Sequence, residues 1–100
     1  VRRPPVELGQ ELIEVIRTER NPGKAQKLIA AGADLNARDA MSGKTPLHWA
    51  IHNDDNIITL ALIKAGATIN AQDTTNNTPL HDAVITDNAD AVKALIAAGA

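Results

Sequence analysis

Two histidines four residues apart, His48 and His52, flank Trp49 and run into Asp54 and Asp55. Side chains at i and i+4 share one face of a helix, so this pair has the reach to hold a metal ion together. A structural zinc site needs four ligands and a catalytic one needs three plus water. The aspartates are near in sequence, but no spacing closes such a set. His48 also recurs as His81, whereas His52 is replaced by Ile85 at the matching place. A repeated histidine without its companion reads as part of a helix start, so no metal ligands are assigned. Ser42-Gly43-Lys44 is the other chemical candidate. It lacks the leading glycine and the spacing of a phosphate-binding loop, and Ser42 has no activating base in its pattern. It reads as a turn into a helix. No catalytic residue and no cofactor site is expected.

The elements that carry these residues are periodic. "TPLHWAI" at Thr45 to Ile51 returns as "TPLHDAV" at Thr78 to Val84, 33 residues on. "LIKAGATINAQD", Leu62 to Asp73, matches "LIAAGADLNARD", Leu28 to Asp39, at 34, and "LIAAGA", Leu95 to Ala100, at 33. The one-residue difference falls between Asp39 and Thr45, in a loop, where insertions are tolerated. Thr45 and Thr78 are helix caps, each with a proline at the first helical position, where the missing N–H costs nothing. His48 and His81 stand third in the helix, positioned to reach back to the cap as Glu does in a capping box. These first helices run to about Asn53 and Asp87. Second helices follow the polar breaks "NDDN" and "TDN", and Val92, Leu95 and Ile96 give the last of them one buried face. Gly32, Gly66 and Gly99 close the second helices in the left-handed position. The segments between units are polar and turn-rich. Each unit is helix, turn, helix, loop.

This pattern resembles the ankyrin-repeat family, whose 33-residue unit opens T-P-L-H-x-A. Thr45, Pro46, Leu47, His48 and Ala50 match that opening, as do Thr78, Pro79, Leu80, His81 and Ala83. Gly66-Ala67 and Asn70-Ala71 match the family's helix end and following loop. The first unit has no T-P-L-H, as suits a terminal repeat whose outer face meets water. The resemblance implies an all-α solenoid: an irregular segment over 1–7, then repeats over 8–38, 39–72 and 73–100. It also implies a non-catalytic protein-binding role, through loop tips and the concave face. The family's variable contact positions map onto Met41, Lys44, His52 and Asn53 in the second unit. In the third they map onto Thr74, Thr75, Asn77, Ile85 and Thr86. Stacking by one period brings positions 52 and 85 to adjacent places on one surface. An ankyrin segment that positions another domain of a larger enzyme, channel or effector is the alternative.

Four residues vary between units. Trp49 corresponds to Asp82, which implies a position that tolerates water; the ring is either half-packed between repeats or an interface anchor. Ile57 and Leu60 stand where the third unit has Asp90 and Lys93, and Thr59 stands where it has the apolar Val92. Tolerated variation and a second, convex contact surface both fit this exchange.

Composition narrows the rest. Trp49 is the one aromatic residue, yet 44% of the chain is hydrophobic, almost all of it small aliphatics suited to thin layers of helices. There is no cysteine, hence no disulfide framework or thiol zinc site, which fits a reducing, cytoplasmic setting. Net charge is −2 and the ten basic residues are scattered apart from Arg2-Arg3, against the basic stripe of nucleic-acid binders. No apolar run approaches the roughly 18 residues of a membrane span. No small-molecule substrate is indicated, and a monomer is expected. The chain opens without Met and closes directly after a second helix, which points to a truncated array within a longer protein.

Overall fold

The computed structural model describes residues 5–19 and 21–99. Its helices are α1 Pro5–Glu14, α2 Pro22–Ala30, α3 Pro46–His52, α4 Asn56–Lys64, α5 Pro79–Ile85 and α6 Ala89–Ala97. There is no strand among the described residues.

The caps explain why α3 and α5 begin where they do. Thr45 Oγ1 accepts from His48 N–H at 3.5 Å, and His48 Nδ1 accepts from Thr45 N–H at 3.1 Å. The same pair at Thr78 and His81 measures 3.4 and 2.9 Å. Both are reciprocal capping boxes, with histidine in the place that glutamate usually takes. Thr78→Ala is therefore expected to cost about 0.5–2 kcal/mol, read as a lower urea midpoint at unchanged slope. A loss below that range would mean the cap contributes little.

The second helices are capped by side chains in the polar breaks. Asn21, Asp55 and Asn88 accept from Lys24, Ile58 and Ala91 N–H at 3.2, 3.2 and 3.1 Å. The turn into α4 passes through Asp54 at φ 60, and the turn into α6 through Asp87 at φ 58. Both are residues that tolerate left-handed backbone. The second helices end just before Gly32, Gly66 and Gly99, at φ 89, 96 and 100, where L side chains are strained.

The first unit departs from the others. Its helix starts at Pro5, inside the segment read as irregular over 1–7, whose first four residues lie outside the described residues. It then passes into a π-helical turn, Val15–Glu19.

Helices α1, α3 and α5 form one layer and α2, α4 and α6 the other, each packing on its partner and on its neighbours along the stack. The result measures 40 × 25 × 24 Å. Leu12, Val15, Leu28, Leu47, Ile51, Ile58, Leu62 and Leu95 run through the centre, with Ala25, Ala50, Ala83 and Ala91 where helices approach closely. Burying each large aliphatic contributes about 1.5–3 kcal/mol. Thr59 sits in this interior because its hydroxyl donates to Asp55 O at 2.8 Å, so no polar atom is orphaned. Ile57 and Leu60, on the same helix, face water.

Candidate functional site

The inter-unit loops build one side of the stack. Asp39 and Asp73 open them and fold them back: Asp39 N–H donates to Lys44 O at 2.9 Å, and Asp73 N–H to Asn77 O at 3.0 Å. Gly43 and Asn76, at φ 69 and 65, occupy equivalent places. The extra residue of the second unit therefore lies before Gly43, in Ala40-Met41-Ser42 against Thr74-Thr75. It pushes Met41 to the tip, 90% exposed. The loops are tied together by Thr74, whose N–H and hydroxyl both donate to Ser42 O at 3.0 Å. Arg38 bridges them as well, donating to Gly43 O at 3.1 Å and to Gln72 O. Thr75 turns its hydroxyl to Asp73 at 2.9 Å and accepts from Asn77 Nδ2 at 3.0 Å.

Beneath the loops lies a charged cluster absent from the sequence reading. Lys44 Nζ stands 2.9 Å from Asp73 Oδ2 and 3.3 Å from Asp82 Oδ2. The three side chains are 18%, 2% and 7% exposed. Asp82 does not face solvent, as its equivalence to Trp49 suggested; it is buried, and the neighbouring unit supplies its cation. Burial would raise the Asp73 carboxyl. Lys44, the Asn77 N–H and the N–H and hydroxyl of Thr75 more than offset that, and hold it well below the ordinary carboxylate range. Lys44 is likewise lowered by desolvation but ends up raised by its two carboxylates.

His48 lies fully buried beside this cluster. Its Nδ1 accepts from Thr45 N–H, so the ring proton sits on Nε2 and donates to Asn77 O, 2.8 Å away in the next unit. Both nitrogens are committed to holding the stack. Among the described residues, no three His, Cys, Asp or Glu side chains are placed to hold a metal ion.

Desolvation lowers the His48 pKa, so the folded state binds a proton less readily than the unfolded chain. The stability tied to His48 is complete above its ordinary value of 6.5 and declines as pH falls below it. That tied to Asp73 is present above 3.8 and lost below. Urea midpoints are thus expected to fall in two stages between pH 7.5 and 3. A flat profile from 7.5 to 5 would contradict the role given to His48.

The helix ends complete this side. His52 meets the Trp49 ring edge-on at 5.7 Å, and the Arg17 guanidinium lies 5.9 Å from the ring centre. Trp49 is half-buried against the core, and its Nε1–H is enclosed with no acceptor among the described residues. Asn53 Nδ2 donates to Ile16 O at 2.8 Å, and Thr86 Oγ1 to Asp82 O at 2.8 Å. Ile85, one period from His52, is 73% exposed. The residues named from the sequence thus fall into two groups. Met41, Thr74, Thr75, His52 and Ile85 are exposed, with Trp49 half-buried beside them. Lys44, Asn53, Asn77 and Thr86 direct their polar atoms inward to bonds that hold loops and helices in register.

The match to ankyrin repeats covers residues 12–100 as three copies. The chain is 37% identical over 90 residues to the BRCA1-associated RING domain protein 1 of Caenorhabditis elegans, covering 89% of this chain and 12% of that protein. It is 45% identical over 60 residues to the Neurogenic locus Notch protein of Drosophila melanogaster, covering 60% of this chain and 2% of that protein. It is 31% identical over 91 residues to the E3 ubiquitin-protein ligase KEG of Arabidopsis thaliana, covering 91% of this chain and 5% of that protein. With three repeat copies over most of its length, in a stack of helix pairs capped through T-P-L-H, the chain belongs to the ankyrin-repeat family.

Proposed function

We propose that this chain binds a protein partner through its loop tips and the ends of its first-layer helices. Ankyrin repeats are generally non-catalytic interaction modules. The observation that carries the reading here is the exposure of Met41 and Ile85 on the side framed by bonded loops. In the proposed contact set Met41, Ile85, Trp49 and His52 are the centre, and Thr74 and Thr75 the rim. Lys44, Asn53, Asn77 and Thr86 hold that surface in shape, so little ordering is left to do on binding. Apolar anchors in a polar frame suit a specific interface.

Affinity capture with the native chain, beside a chain carrying Met41→Asp and Ile85→Asp, tests this. A partner retained by the first and lost from the second supports the reading. Equal retention by both opposes it.

A second reading is favoured by coverage, since the chain spans an eighth or less of the three relatives named above. In it, the repeats position another domain of a larger protein. No helix among the described residues is long and apolar enough to cross a membrane.

A further inference from the structure

On the side where the two helices of each unit join, the two seams of the stack differ. Between the second and third units the seam is bridged by side chains. Asn56, at the start of α4, accepts from Asn88 Nδ2 at 3.1 Å and donates from its own Nδ2 to Asp90 at 3.4 Å. One period earlier the same three positions hold Pro22, Asp55 and Ile57. Proline has no polar side-chain atom to bridge with, and Ile57 is 60% exposed. Asn53 Nδ2 crosses this seam to Ile16 O at 2.8 Å, and beside that bond the seam stays open.

A cleft of about 290 Å³ remains there, with Ile16, Pro22 and Ile57 as its apolar wall and Asn53, Asp54 and Asp55 as its polar one. Neither aspartate has an ion pair among the described residues. Asp55 uses one carboxylate oxygen to cap α4, accepting from Ile58 N–H at 3.2 Å. The described cations next along the chain are turned elsewhere, Arg17 to Glu14 at 2.8 Å and Lys24 to Glu19 at 3.2 Å. Because α3 ends at His52, its last carbonyls add partial negative charge on this side.

We propose that the cleft takes one arginine side chain of a partner protein. The aliphatic stem lies against Ile16, Pro22 and Ile57, and the guanidinium sits on Asp54 and Asp55. Charge complementarity selects a cation, and the apolar wall selects one carried on a long stem. The volume falls just below the roughly 300 Å³ at which small-molecule pockets begin, which suits a single side chain better than a free ligand. Arginine fits better than lysine, because its forked donors serve two carboxylates at once and its weaker hydration suits an apolar wall. The contact lies at the other end of α3 from its Thr45 cap and the loops. It is independent of the loop tips, so its failure would leave that reading standing.

The probe is N-acetylarginine methylamide, titrated into the native chain and followed by NMR. Saturable shifts confined to the Ile16 and Ile57 methyls and the Asn53 side-chain amide are expected. The citrulline counterpart, which keeps the shape without the charge, should bind at least about tenfold more weakly, and the lysine counterpart more weakly than arginine. Asp54→Asn with Asp55→Asn should weaken the arginine probe by a similar factor. Both changes suit the fold: Asn88 caps α6 as Asp55 caps α4, and Asn76 already adopts the backbone of Asp54, at φ 65 against 60. Pro22→Asn with Ile57→Asp copies the bridge between Asn56 and Asp90, and should abolish the shifts although it adds a negative charge. Shifts spread over the whole surface, or equal binding of the citrulline or lysine probe, would overturn the proposal. So would tighter binding by the Pro22 and Ile57 variant, because attraction to negative charge alone would then account for the signal.

Discussion

Replacing Lys44 with methionine is expected to destabilise the fold by about 3–5 kcal/mol, the range for stranding buried charge. Both carboxylates that Lys44 faces are almost wholly enclosed. Asp73 would keep its bonds from Thr75 and Asn77. Asp82 would lose the cation at 3.3 Å and remain beside a second negative charge. Removing that charge as well should reverse most of the loss. A Lys44→Met, Asp82→Leu double variant is expected within about 1 kcal/mol of the native chain, because apolar replacement of a buried pair is often neutral. Urea midpoints at pH 7 for the native chain, both single variants and the double variant give the coupling directly. A Lys44→Met cost below about 1 kcal/mol would place the cluster among ordinary surface pairs.

Legibility in the sequence followed the range of each interaction. The capping boxes are local, spanning three residues and repeating at one period, so Thr45, His48, Thr78 and His81 could be assigned roles before any coordinates. The left-handed backbone at Gly32, Gly66 and Gly99 was equally readable. The Lys44, Asp73 and Asp82 cluster was not. Lys44 and Asp82 lie 38 residues apart, and neither is periodic: the counterpart of Lys44 is Asn77 and that of Asp82 is Trp49. An aspartate in a tryptophan's slot suggested water, whereas the structure provides a cation from the preceding unit. The same exchange explains Trp49, which turns to Arg17 of its own preceding unit. Thr59 looked like a polar intrusion on a buried face, and its bond to Asp55 O resolves it. The inward bonds of Asn53 and Asn77 also escaped the reading, because each links different units.

Substituting Ile85→Asp and Trp49→Ala together should weaken partner binding by more than about 2 kcal/mol, roughly thirtyfold. Ile85 offers exposed apolar area, and an aspartate there would need desolvation without a partner in any apolar contact. Trp49 contributes the ring on which Arg17 and His52 rest, so its loss also loosens the surface around the contact. Because Trp49 packs against the core, the variant must be studied well below its own melting midpoint. Circular dichroism at the working temperature checks that its helices persist. Ile57→Asp with Leu60→Asp is the matched control. It adds two charges to exposed apolar positions on α4, in the other helical layer. Titration calorimetry of a captured partner against both double variants is the most direct test of the proposed binding face. A thirtyfold loss is expected for the Trp49 and Ile85 pair and nearly native affinity for the Ile57 and Leu60 pair; the reverse ranking would contradict the proposed face and move the interface to the second-layer helices.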